Sequence, residues 1–161
     1  MFLLPVLIIL AIVIIDQITK YMTVSMLMPI NSVEIIKNFF SLTYVENRGA
    51  AFGTMMGGRW FFVALTVIVV VAGGIYYSKI YNKDKSKIAS LALVLVAGGA
   101  IGNCIDRLFR GYVVDMLSFN FFGYSFPVFN FADICVVIGA VLLVVSLCFT
   151  KEGKWYGNIY Y

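Results

Sequence analysis

A small, mainly α-helical membrane protein is the fold class this chain predicts. It should have four transmembrane helices, small extracytoplasmic β and loop regions, and a short amphipathic helix. Three observations carry that expectation. Of the 161 residues, 62% are hydrophobic and only 12% charged, more apolar surface than a soluble domain of this size can hide. Four apolar runs of 19–22 residues recur along the chain, each able at about 1.5 Å per residue to cross about 30 Å of hydrocarbon. Most of the polar residues that interrupt these runs fall near one end of them.

The first run, residues 2–22, opens as FLLPVLIILAIVII and then meets Asp16 and Lys20. It lacks the basic start and small-residue cleavage site of an export signal, so a retained span is expected. Residues 23–59 form the first extracytoplasmic region. There SVEIIKNFFSLTYVENRGAAFGTMMGG mixes short β-like alternation with a Gly-rich turn at Gly49 and Gly53. The second span covers 60–79, and residues 80–87 form a cytoplasmic loop. The third span covers 88–106 and carries Gly98 and Gly102, a GxxxG pair that reads as a helix-packing face. Residues 107–127 form the second extracytoplasmic region, alternating apolar and polar with breakers at Gly123 and Pro127. The fourth span runs over 128–149, ahead of a cytoplasmic tail, 150–161. Both outer regions are rich in Phe and Tyr, as a headgroup-level interface favours, so a small sheet and the amphipathic helix should lie on the membrane. Residues 1–161 read as a single integral-membrane domain.

Charge sets the orientation. KIYNKDKSK (79–87) holds four lysines, and KEGK in the tail adds two. The opposing regions spread Lys37, Arg48, Arg59, Arg107 and Arg110 over 58 positions. The denser basic side belongs in the cytoplasm, which puts both termini inside. The net charge of +4 comes without a basic cluster interleaved with aromatics, so a nucleic-acid partner is not expected; anionic lipid headgroups are. Histidine is absent, which removes Ser-His-Asp and Cys-His catalysis and His-ligated zinc. Cys104, Cys135 and Cys148 lie in apolar runs without CxxC spacing and read as small core residues.

With that topology the polar residues gather at one depth, just below the outer surface. Asp16 and Lys20 are one helical turn apart and can pair. Asn103, Asp106 and Arg107 end the third span, and Asn130 and Asp133 begin the fourth. Asp106 and Arg107 are also candidates for a structural ion pair. Asp115 and the stretch from Asn47 through Gly49 to Phe52 lie in the outer connections. Asp115 and Asp133 stand apart because neither has a basic residue one helical turn away. Two carboxylates without dedicated counter-charges, brought together at low dielectric, cannot both ionise, so the pair shares a proton. A water-activating aspartic protease uses such a pair: one carboxylate takes a proton from water while the other polarises or protonates the scissile carbonyl.

DQITK (16–20), NRGAAFG (47–53), GAIGNCIDR (99–107), GYVVDM (111–116) and FPVFNFAD (126–133) resemble, in order, the five sequence blocks of the bacterial lipoprotein signal peptidases (type II signal peptidase). The resemblance covers nearly the whole chain, and its departures are small: Met116 stands where the family usually has Phe, and Cys104 occupies a variable position. It implies an aspartic endopeptidase of the bacterial plasma membrane. Such an enzyme cuts prolipoproteins just before a cysteine that carries a diacylglyceryl group. The implied catalytic dyad is Asp115 and Asp133. Asp16, Lys20, Asn47, Gly49, Asn103, Asp106, Arg107 and Asn130 would bind substrate or brace the dyad. The resemblance implies no metal and no organic cofactor, and a monomer is expected. The competing reading is a small proton-coupled transporter or channel subunit, since intramembrane acids also mark ion paths. It requires polar residues at several depths, whereas the inner halves of all four runs are almost wholly apolar.

Overall fold

The computed structural model describes residues 3–49, 58–81 and 87–149. Gly53 with the rest of the Gly-rich turn, most of the loop at 80–87, and the tail at 150–161 lie outside the described residues. Four long helices dominate: α1 (Leu3–Leu27), α2 (Arg59–Tyr81), α3 (Lys87–Phe109) and α4 (Phe131–Phe149). Each is long and apolar enough to cross a membrane. Their outward side chains are largely Leu, Ile, Val and aromatic residues left exposed, a surface that lipid accepts and water does not.

Helix α3 is the centre of the bundle, packing against α1, α2 and α4. Its small residues allow this. A Cβ on Gly98 would sit 3.0 Å from the Ile12 side chain, and one on Gly102 would sit 2.6 Å from Asp16 Oδ2, both on α1. On the opposite side, a Cβ on Gly99 would lie 2.4 Å from the Ala132 carbonyl oxygen. Gly139 repeats the close approach further in, 2.8 Å from the Ala92 carbonyl oxygen. The expected GxxxG face is therefore a packing face, and it seats α1.

Outside the bundle, β1 (Ser32–Ile36), β2 (Phe40–Asn47), β3 (Val113–Phe121) and β4 (Tyr124–Ser125) form an antiparallel sheet in the order β1-β2-β3-β4. Stacked rings of Phe40 and Phe119, with centroids 4.7 Å apart, lie across the β2–β3 pair. The β3–β4 turn uses positive φ at Phe122 (53°) and Gly123 (92°), and the Asn120 side chain accepts the Gly123 N–H at 2.8 Å. The expected amphipathic helix has no counterpart among the described residues, whose connections on the sheet side of the bundle are strands and turns.

The helices run one to five residues past or short of the expected spans, with α3 ending at Phe109 rather than 106, and two of these differences have a local reason. Helix α1 runs to Leu27 rather than 22, because its polar residues are satisfied within the bundle and Thr23 returns its hydroxyl to the Thr19 carbonyl at 2.8 Å. Helix α4 starts at Phe131 rather than 128, because Phe129 pairs with β3: Leu117 N–H donates to Phe129 O at 2.8 Å, and Phe129 N–H donates to Leu117 O at 3.2 Å. This short ladder sets the start of α4 beside the strand that carries Asp115.

Candidate active site

Asn130 ends the extended segment and caps α4. Its Oδ1 accepts the Asp133 N–H at 3.0 Å, and Asp133 Oδ2 accepts the Asn130 N–H at 3.1 Å. This reciprocal capping box satisfies two orphan donors and fixes Asp133 in the first helical turn. There the helix N-terminus favours a negative charge. The same Asn130 reaches the sheet, its Nδ2 donating to Asp115 Oδ1 at 2.6 Å. One residue thus ties together the two aspartates that sequence reasoning singled out.

Asparagines complete the frame. Asn47, at the end of β2, donates Nδ2 to Asp115 Oδ2 at 2.9 Å. Asn103, on α3, donates Nδ2 to Asp133 Oδ1 at 2.7 Å and accepts from Asn130 Nδ2 at 3.2 Å. Of the two roles expected for these amides, binding substrate or bracing the aspartates, the geometry matches the second: each has its Nδ2 on Asp115 or Asp133. Gly49 N–H donates to Asn47 Oδ1 at 3.0 Å, a local turn that aims the Asn47 amide at Asp115.

The cations follow the sequence expectation at Lys20 and Asp16 but depart from it at Asp106. Lys20 is fully buried and pairs with Asp16 at 2.8 Å and with Asp106 at 3.3 Å. Asp106 is also paired with Arg110, not with its neighbour Arg107. Arg107 lies over the Phe62 ring at 4.7 Å and donates Nη2 to the Gly49 carbonyl at 3.4 Å. Its charge remains within electrostatic reach of both Asp133 and Asp115. Two contributors escaped sequence reasoning. Gln17 donates to Asp16 Oδ2 and to the Gly102 carbonyl, each at 3.2 Å, and Arg110 closes the network at Asp106. The i, i+4 spacing of Asp106 and Arg110 was the available signal for the second.

Asp115 is 1% exposed. Burial pushes its carboxyl up from 3.8 to about 6, and the neighbouring Asp133 adds to the rise, against the opposing hydrogen bonds from Asn47 and Asn130. A carboxyl that keeps its proton toward neutral pH, beside a second one at a helix N-terminus, can do acid and base chemistry together. Among the described residues no group of three or more His, Cys, Asp or Glu side chains is arranged to hold a metal ion.

The family model for signal peptidase (SPase) II matches residues 8–149. The chain belongs to that family. It is 46% identical over 140 residues to the lipoprotein signal peptidase of Symbiobacterium thermophilum, covering 87% of this chain and 91% of the relative. The lipoprotein signal peptidase of Caldanaerobacter subterraneus subsp. tengcongensis is also 46% identical, over 138 residues, covering 86% and 91%. A bacterial membrane enzyme solved by the in meso method at 2.3 Å superposes with a TM-score of 0.77 at 35% identity, covering 98% of this chain and 92% of that one. Signal peptidase II membership makes the chain a peptidase and, with its four apolar helices, a multi-pass bacterial membrane protein. The transporter reading gives way to a hydrolytic one.

Proposed function

We propose that this chain is an aspartic endopeptidase of the bacterial plasma membrane that removes signal peptides from diacylglyceryl-modified prolipoproteins, cutting before the lipidated cysteine. The observation that carries the reading is the junction at Asn130, whose side chain holds Asp115 and whose backbone N–H holds Asp133. With one proton between them, the ionised aspartate takes a proton from a water molecule as the water oxygen attacks the scissile carbonyl. The protonated aspartate donates its proton to the carbonyl oxygen, giving a neutral tetrahedral diol. Collapse returns a hydroxyl proton to the dyad, and the departing amide nitrogen gains one. The pair ends singly protonated, as it began.

The supporting residues follow from the same reading. Asn47, Asn103 and Asn130 hold the carboxylates in register, and Arg107 limits the repulsion between them. Gly49 offers a backbone approach for substrate without a side chain in the way. The signal peptide arrives as an apolar helix in the bilayer with its lipidated cysteine at the outer leaflet. This suits a four-span domain with both termini in the cytoplasm and the dyad near the outer face. The chain would act as a monomer on prolipoprotein substrates among membrane lipids.

The test is cleavage of a synthetic diacylglyceryl-modified signal peptide in detergent. The parent chain should cut before the modified cysteine. Asp115→Asn and Asp133→Asn should each abolish turnover while keeping the helical circular dichroism of the parent. Undiminished turnover by either variant refutes the dyad.

A further inference from the structure

Each aspartate of the pair follows a residue whose peptide N–H is held by a buried carboxylate. Before Asp115, the Val114 N–H donates to Asp106 Oδ2 at 3.0 Å. Before Asp133, the Ala132 N–H donates to Asp16 Oδ1 at 3.1 Å. One ammonium sits between those carboxylates: Lys20 Nζ lies 2.8 Å from Asp16 Oδ2 and 3.3 Å from Asp106 Oδ2. Its third contact is Asn103 Oδ1 at 2.8 Å, on the amide whose Nδ2 holds Asp133. An ammonium has three donors and accepts nothing, so Lys20 is saturated and has no N–H left for a substrate.

We propose that Lys20 is a positioning residue that sets the separation of the two aspartates, yoking the backbone of β3 to that of α4 through Asp106 and Asp16. The ammonium fixes two carboxylates, each carboxylate fixes one peptide N–H, and the next residue along each backbone is one member of the dyad. Simple charge neutralisation in the membrane would need only Asp16, one turn away on the same helix. It would not recruit Asp106 from α3, and it would not place both carboxylates on the peptides that precede the dyad. The separation matters because a displacement of about 1 Å at reacting groups lowers a rate by about 10²-fold.

The proposal rests on the aspartic reading of the site, and its test separates the two. Cleavage of the diacylglyceryl-modified signal peptide and thermal unfolding are measured in detergent on the full chain. The variants are Lys20→Met, Lys20→Met with Asp16→Asn, and Asp115→Asn. Lys20→Met should lower kcat by about 10²-fold and leave KM unchanged, since the ammonium touches no substrate. The double variant rebalances the buried charge and keeps an oxygen for the Ala132 N–H, so it should regain thermal stability without regaining kcat. If Lys20→Met alone does not fold, the double variant decides. Parent-like kcat in the double variant, or a loss confined to KM, overturns the yoke. Turnover by Asp115→Asn would instead overturn the aspartic reading itself.

Discussion

Replacing Asp115 by asparagine should change stability in a pH-dependent way whose size follows from the burial of this group. The folded carboxyl titrates at about 6 against 3.8 unperturbed, about two units, or about 3 kcal/mol. Because the folded value is raised, the folded protein holds the proton more tightly than the unfolded chain. That advantage is complete below 3.8 and is lost as pH rises through about 6. Asp115→Asn has no such charge to lose. It does lose one good contact, because both carboxylate oxygens accept an N–H, from Asn130 and from Asn47, and an amide must turn its own N–H toward one of them. A mismatch of that kind costs about 1–3 kcal/mol. The variant should therefore be less stable than the parent near about pH 4 and equal to it or better near about pH 7.5. At about 2–4 °C per kcal/mol for a chain of this length, the Tm difference should move by roughly 6–12 °C in the variant's favour across that range. Thermal unfolding in detergent, followed by circular dichroism at several pH values, measures it. A Tm difference that stays constant with pH would refute the claim that Asp115 is buried with its proton.

Three further outcomes follow from the same geometry. The basic limb of kcat/KM for the parent should be centred near the raised value of about 6, since the pair needs its proton and this profile reports the free enzyme; the limb of kcat should lie at higher pH once an apolar substrate displaces water. Asn47→Ala removes a hydrogen bond that favours the charged form of Asp115, so its basic limb should shift to higher pH while kcat falls by about tenfold. Gly99→Ala and Gly139→Ala each place a methyl against a backbone carbonyl of the facing helix and should each lower stability by about 1–3 kcal/mol. Only Gly99→Ala, which pushes on Ala132 beside Asp133, should also lower kcat. Equal kcat effects from the two glycines would argue that α3–α4 spacing is not felt at the site.

The spans were legible because lipid imposes a length and an apolarity that no partner can override, and the polar residues at one depth pointed to the site. What stayed hidden depended on contacts distant in sequence. Asp106 sits beside Arg107, and adjacency suggested a pair; on a helix, adjacent side chains diverge, and Arg110 one turn on takes the carboxylate. Asn130 and Asp133 were placed together at the start of the fourth span. Their role as a capping box depends on where α4 begins, and that is set by the pairing of Phe129 with Leu117 on β3. For the three asparagines, binding substrate and bracing the aspartates stayed open as alternatives, because nothing local reveals that their amides are already engaged. Residues on both sides of the dyad could be named from the chain; the identity of each side chain's partner required the fold.

The local pairing of Lys20 with Asp16 has a consequence for biosynthesis. Helix α1 leaves the ribosome and meets the translocon while α3, with Asp106, is still unsynthesised. A lone charge on the nascent helix would oppose lateral release into lipid by about 2.5–3.5 kcal/mol. Because the counter-ion lies one turn away at 2.8 Å, the helix can partition as a neutral segment and wait. When α3 arrives, Asp106 joins an ammonium that the membrane has already accepted.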